Sequence, residues 1–131
     1  MDDNPGTQNQ IQVLVIDDDE LVRETLEMLL LDAGYGVTLA SDGRRGLAEL
    51  EKKTPDFVVT DIYMPEKEGI ETIVDIRRTY PGIKIIAMSG GADVGSMPVL
   101  QLAEMVGADR VLKKPFMPSE IVDAIEELNK S

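Results

Sequence analysis

Histidine and cysteine are both missing from this 131-residue chain, and each absence closes a branch of chemistry. Without histidine there is no phosphohistidine, no histidine-based catalytic triad and none of the commonest transition-metal ligand. Without cysteine there is neither a disulfide framework nor a thiol site, which is compatible with a cytosolic setting. Long apolar runs are lacking too: none approaches the length that spans a bilayer, and the polar start from Met1 to Gln10 has no signal-peptide pattern. A cytoplasmic location without membrane association is therefore expected. Basic residues are few, 13 against 25 acids, for a net charge of −12. That balance argues against a nucleic-acid or anionic-membrane surface and leaves open a cation or a basic patch on a partner.

What is present suits one globular domain. The length is that of a single unit with one real core, and a 43% hydrophobic content does not suit a disordered chain. Residues 1–10, with Pro5, Gly6 and several amides, read as a flexible leader, leaving 11–131 as the domain. Five β-rich runs follow: Ile11 to Ile16, Gly36 to Ala40, Asp56 to Thr60, Ile83 to Met88 and Arg110 to Lys113. The first, third and fourth are almost wholly apolar, as expected of strands covered on both faces of a parallel sheet.

Helical spacing fills the gaps. Leu21, Val22, Leu26, Leu29 and Leu30 form one stripe that stops at Gly34, and Ser41 or Asp42 can cap a second helix carrying Leu47 and Leu50. A third carries Ile70, Ile73, Val74 and Arg77 and ends before Pro81. Pro98 fits the first turn of a fourth, closed by Gly107, and a fifth starts near Pro118. Five β-α units with right-handed crossovers give an α/β fold, a doubly wound parallel sheet with helices on both faces. Sites in such sheets lie at the carboxyl ends of the strands.

Those ends carry a short set of polar residues. Asp17, Asp18, Asp19 and Glu20 follow the first run, Asp61 the third, Ser89 the fourth and Lys114 the fifth; the second offers only Ser41 and Asp42. Singly, each has an ordinary explanation. Asp19 or Glu20 suits a helix cap, Asp61 a solvated turn, Ser89 beside Gly90-Gly91 a plain turn, and Lys114 a surface lysine. Jointly they converge on one rim from segments far apart in sequence. Clustered carboxylates repel unless a hard divalent cation such as Mg²⁺ relieves them. A carboxylate can act as nucleophile toward phosphorus, with a lysine and a hydroxyl beside the phosphoryl oxygens. Together these groups make a phosphoryl-transfer site.

The motifs carry a resemblance. Val13-Leu14-Val15-Ile16-Asp17-Asp18-Asp19-Glu20, then Asp61-Ile62-Tyr63-Met64-Pro65 with Gly69, then Met88-Ser89-Gly90, then Lys113-Lys114-Pro115-Phe116 are similar to the receiver domain of two-component response regulators, over about residues 11 to 129. The resemblance implies a CheY-like, flavodoxin-type (βα)5 fold with strand order 2-1-3-4-5. It implies that Asp61 takes a phosphoryl group from a sensor histidine kinase or phosphotransfer protein. Asp17, Asp18, Asp61 and the Tyr63 backbone carbonyl would hold Mg²⁺, and Ser89 would contact the phosphoryl group. Lys114 would pair with Asp61 and then with the phosphate, through a cis bond to Pro115. Such a protein is a phosphoacceptor that assists its own phosphoryl transfer and slow dephosphorylation, not an enzyme acting on other substrates.

Two departures stand out. Receivers usually carry Tyr or Phe three residues before this lysine, where Val111 stands here, and Gly90 to Ser96 is glycine-rich and a few residues longer than usual. Output is therefore expected through this loop and the fourth helix, without a swinging ring. Two other site chemistries fit less well. Asp17-Asp18-Asp19 has the Asp-x-Asp spacing of haloacid-dehalogenase-type phosphatases, but Leu21 stands where they need Thr or Val. A flavodoxin-like flavin site would want a phosphate loop where Asp17 to Glu20 would repel phosphate. A degenerate receiver serving only as an interaction module is the third alternative. The chain ends at Ser131 without a DNA-binding or catalytic output, which suits a stand-alone regulator with a protein target or the N-terminal piece of a longer one with its own output domain.

Overall fold

The structure, a computed structural model, describes residues 10–62, 68–89, 93–94, 97–114 and 116–130. Five parallel strands, β1 (Gln12–Ile16), β2 (Gly36–Ala40), β3 (Phe57–Asp61), β4 (Lys84–Ser89) and β5 (Arg110–Lys113), form one sheet in the order 2-1-3-4-5. Five helices alternate with them: α1 (Glu20–Asp32), α2 (Gly43–Lys52), α3 (Glu68–Thr79), α4 (Val99–Val106) and α5 (Pro118–Asn129). A two-residue antiparallel pair, Asp93–Val94 with Met97–Pro98, precedes α4. Pro98 thus stands just before the fourth helix instead of in its first turn. The remainder of the glycine-rich loop and residues 1–9 of the expected 1–10 leader lie outside the described residues.

The apolar runs behave as strands covered on both sides. Every residue of β3 is buried, and so are four of five in β1 and five of six in β4. Alternation then divides the core in two. Val13, Val15, Phe57, Val59, Ile86 and Met88 face Leu26 and Leu30 of α1 and Ile121 and Ile125 of α5. Leu14, Ile16, Val58, Ile85 and Ala87 face Leu50 of α2 and Ile73 and Ile76 of α3, with Val106 of α4 packed alongside.

Local chemistry sets the helix ends. Asp19, not Glu20, caps α1, accepting from the Leu21 and Val22 N–H groups at 2.9 and 3.4 Å. Asp42, not Ser41, caps α2 through the Arg45 N–H at 2.8 Å. Gly34 follows the α1 C-cap Ala33 at φ 96°, a left-handed conformation that glycine adopts without penalty. At the amino end of the sheet Arg77 ties three segments together. It pairs with Asp109 at 2.6 Å and donates to the carbonyls of Gly107, Pro81 and Ile83, while the same Asp109 carboxylate accepts from the Ile85 N–H at 2.7 Å. Among the described residues no helix is long and apolar enough to cross a membrane.

Candidate functional site

The carboxyl ends of β1, β3, β4 and β5 deliver Asp17, Asp61, Ser89 and Lys114 to one edge. Asp61 and Ser89, expected just past their strands, are instead the last strand residues, because ladder bonding continues beyond them. The Ile62 N–H donates to the Met88 carbonyl at 2.9 Å, and the Lys114 N–H to the Ser89 carbonyl at 2.6 Å. Strand pairing therefore fixes the backbone of Asp61, Ser89 and Lys114 against one another. Asp17, one residue past β1, is pinned by its own N–H to the Ala40 carbonyl at 3.2 Å.

Asp17, Asp18 and Asp61 each place a carboxylate oxygen within 4.8 Å of the others, the one such metal-compatible group among the described residues. Asp17 is fully buried, Asp61 nearly so, and Asp18 is exposed. Burial holds the Asp17 carboxyl above the ordinary carboxylate range. Opposing it are the Asp19 N–H, which donates to Asp17 Oδ1 at 2.8 Å, and the Lys114 charge; Asp18 adds to the rise. Lys114 Nζ lies between the two buried acids, 3.4 Å from Asp17 Oδ2 and 3.5 Å from Asp61 Oδ2. Three carboxylates against one ammonium leave an excess of negative charge, and the donor set is all oxygen. Such a set fits a hard divalent cation.

The sequence-derived residues Asp17, Asp18, Asp61 and Lys114 are thus brought together, and Ser89 ends the neighbouring strand, fully buried. Tyr63, with its expected carbonyl ligand, and Pro115, with its expected cis bond, lie outside the described residues. Two features went unread in the sequence. Arg23 donates from Nη1 to the Asp17 carbonyl at 2.6 Å; its signal is a cation four residues after the cap Asp19, where the helix dipole disfavours one. Gly69, known only as part of a motif, sits where the first turn of α3 meets the end of β3. A Cβ there would clash with the Ile62 carbonyl oxygen and lie 2.5 Å from the Asp61 carbonyl oxygen.

A doubly wound sheet with an acid cluster and a lysine on its carboxyl edge defines a class of signalling domain, and comparison with known proteins agrees. The chain matches the response regulator receiver domain family over residues 13–126. It is 35% identical over 120 residues to the chemotaxis protein CheY of Thermotoga maritima, covering 91% of this chain and 98% of that protein. It is also 35% identical over 119 residues to the response regulator MprA of Mycolicibacterium vanbaalenii, covering 90% of this chain but 50% of that longer protein. A receiver domain protein (CheY-like) from Methanospirillum hungatei superposes with a TM-score of 0.83 at 28% identity, covering 91% of this chain and 93% of that one. This chain belongs to the response regulator receiver family and is a receiver domain of two-component signalling. Family membership sets aside the dehalogenase-type and flavin-binding readings.

Proposed function

We propose that Asp61 is the phosphoacceptor of this receiver and that Asp17, Asp18 and Asp61, with the Tyr63 carbonyl, hold Mg²⁺. The observation that carries the reading is the position of Lys114 Nζ, 3.4 and 3.5 Å from two buried carboxylates that share a cluster with a third. A surface lysine or a capping acid has no reason to be there. When bound, Mg²⁺ draws charge from the phosphoryl oxygens.

The chain's own groups do the rest. A carboxylate oxygen of Asp61 attacks the phosphorus of a phosphohistidine on a sensor kinase or phosphotransfer protein. The new O–P bond forms as the N–P bond breaks, and the imidazole leaves with the electron pair. Lys114 and the Ser89 hydroxyl receive the phosphoryl oxygens. Attack by water on the aspartyl phosphate later breaks the O–P bond, returning the Asp61 carboxylate and releasing inorganic phosphate. The domain occupies 11–131 and works in the cytoplasm, signalling to a protein target or an attached output domain. With Val111 half-buried against the core cluster on which Val106 of α4 also packs, α4 and the glycine-rich loop before it take the role that a swinging ring plays elsewhere.

Incubation with acetyl phosphate and Mg²⁺ tests the reading. An adduct of about 80 Da is expected on the wild type and none on Asp61→Asn. A folded wild type that gains no mass would make the domain an interaction module only.

A further inference from the structure

Arg23 stands on α1 four residues after the cap Asp19, and its own N–H donates to the Asp19 carbonyl at 3.0 Å. A positive charge so near a helix N-terminus opposes the helix dipole. Helix stability therefore does not explain the residue. Its guanidinium leaves the helix for the site, where Nη1 donates to the Asp17 carbonyl at 2.6 Å in a half-buried position.

The consequences for Asp17 are specific. Its N–H is held by the Ala40 carbonyl, its own carbonyl by Arg23, and its Oδ1 by the Asp19 N–H. With backbone and one carboxylate oxygen secured, Oδ2 remains directed at Lys114 and the acid cluster. The Asp19 that supplies the N–H also begins α1, and its side chain caps that helix. Arg23 thereby links the helix that starts at the acid turn to the turn itself.

We infer that Arg23 is a positioning residue for the acid cluster, locking the Asp17 peptide so that the Asp17 carboxylate is presented to a divalent cation. This rests on the proposal that Asp17, Asp18 and Asp61 hold Mg²⁺. Arg23 touches neither the cation nor the phosphoryl group in this scheme. Partners that orient a metal ligand typically change metal affinity by about 10- to 100-fold when removed. The loss belongs to binding, so the chemical step should survive once the site is saturated.

The experiment is calorimetric titration of Mg²⁺ into wild type and Arg23→Ala, well below the melting temperature of both. Acetyl phosphate phosphorylation at saturating Mg²⁺ is measured beside it. The expected result is a Kd raised about 10-fold in Arg23→Ala, with a saturated rate within about threefold of wild type. An unchanged Kd overturns the inference, since a purely structural Arg23 would alter stability alone. A saturated rate that falls as far as the affinity also overturns it, by placing Arg23 in the chemistry. Should Arg23→Ala not fold, Arg23→Met keeps the apolar stem but removes every donor. A Kd raised at least about threefold supports the inference there, and an unchanged one overturns it. Failure of the wild type to bind Mg²⁺ would instead remove the metal reading on which the inference rests.

Discussion

Replacing Gly69 with alanine should damage a site that Gly69 does not chemically join. A methyl group at this position would meet main-chain atoms only: the Ile62 carbonyl oxygen, the Asp61 carbonyl oxygen at 2.5 Å and Ile62 Cα at 2.5 Å. Backbone cannot rotate aside as a flexible side chain can. The first turn of α3 must retreat from the end of β3 by at least about half an ångström, or the Asp61–Ile62 segment must tilt. Overpacking of this kind costs about 1–3 kcal/mol. Alanine returns part of that through helix propensity, at most about 1 kcal/mol and less at a helix end. A net loss of about 1–2 kcal/mol lowers the melting temperature by roughly 4–8 °C in a domain of this size. The larger effect is on function, because misplacing a reacting group by about 1 Å can cost about 100-fold in rate. With Asp61 as the proposed acceptor, phosphorylation by acetyl phosphate should slow about 10-fold or more in Gly69→Ala, followed by intact mass against time with calorimetry for stability. Gly82→Ala is the control, since nothing lies within 4 Å of a Cβ built at Gly82. Wild-type rate and melting temperature in Gly69→Ala would refute the argument that close approach of α3 positions Asp61.

Further outcomes follow from the site and its scaffold. Since the native Asp17 carboxyl lies above its ordinary range, it binds its proton more tightly than the unfolded chain does. Metal-free stability should therefore fall as pH rises from the ordinary aspartate value of 3.8 through the raised native one, then level off; Mg²⁺ should stabilise increasingly over the same window, and urea titrations at fixed pH with and without Mg²⁺ check both slopes. Arg77→Met removes a charge pair with Asp109 and bonds to three carbonyls at the opposite end of the sheet. The pair is part-exposed, so the loss should be only about 2–3 kcal/mol, read as a lower urea midpoint with the phosphorylation rate within about twofold of wild type. Amide exchange in α4 (Val99–Val106) should change on adding a phosphoryl mimic; identical protection with and without it would rule out α4 as the relay.

The fold was legible because period and burial agree. Apolar runs with no polar interruption, such as Val13 to Ile16 and Phe57 to Val59, suit a strand with helices on both faces, and the structure buries them all. Boundaries slipped by a residue at β1, β3 and β4 because pattern marks where side chains become polar, whereas a strand ends where the ladder does. Asp61 and Ser89 are polar, so they read as loop, yet their neighbours' N–H and carbonyl groups keep pairing. The choice between Asp19 and Glu20 as a cap could not be made from residue type, since either carboxylate suits; the extended backbone at Asp19, φ −91° and ψ 114°, decides it.

The site itself was legible in its side chains and not in its backbone. Carboxylates and lysine announce themselves by charge at a strand end, and their convergence follows from the winding rule. What holds them does not. The Asp17 position depends on main-chain bonds to Ala40, Arg23 and the Asp19 N–H, and Asp61 depends on α3 approaching so closely that Gly69 must lack a side chain. Arginine on an acidic helix reads as solubility, and glycine at a helix start as a weak point. Both gain meaning only when the carbonyls they approach are known: that of Asp17 for Arg23, and those of Ile62 and Asp61 for Gly69. The placing of charge at this edge is thus written in the acidic side chains, but its precision is carried by main-chain groups, an arginine and a glycine that charge alone does not mark.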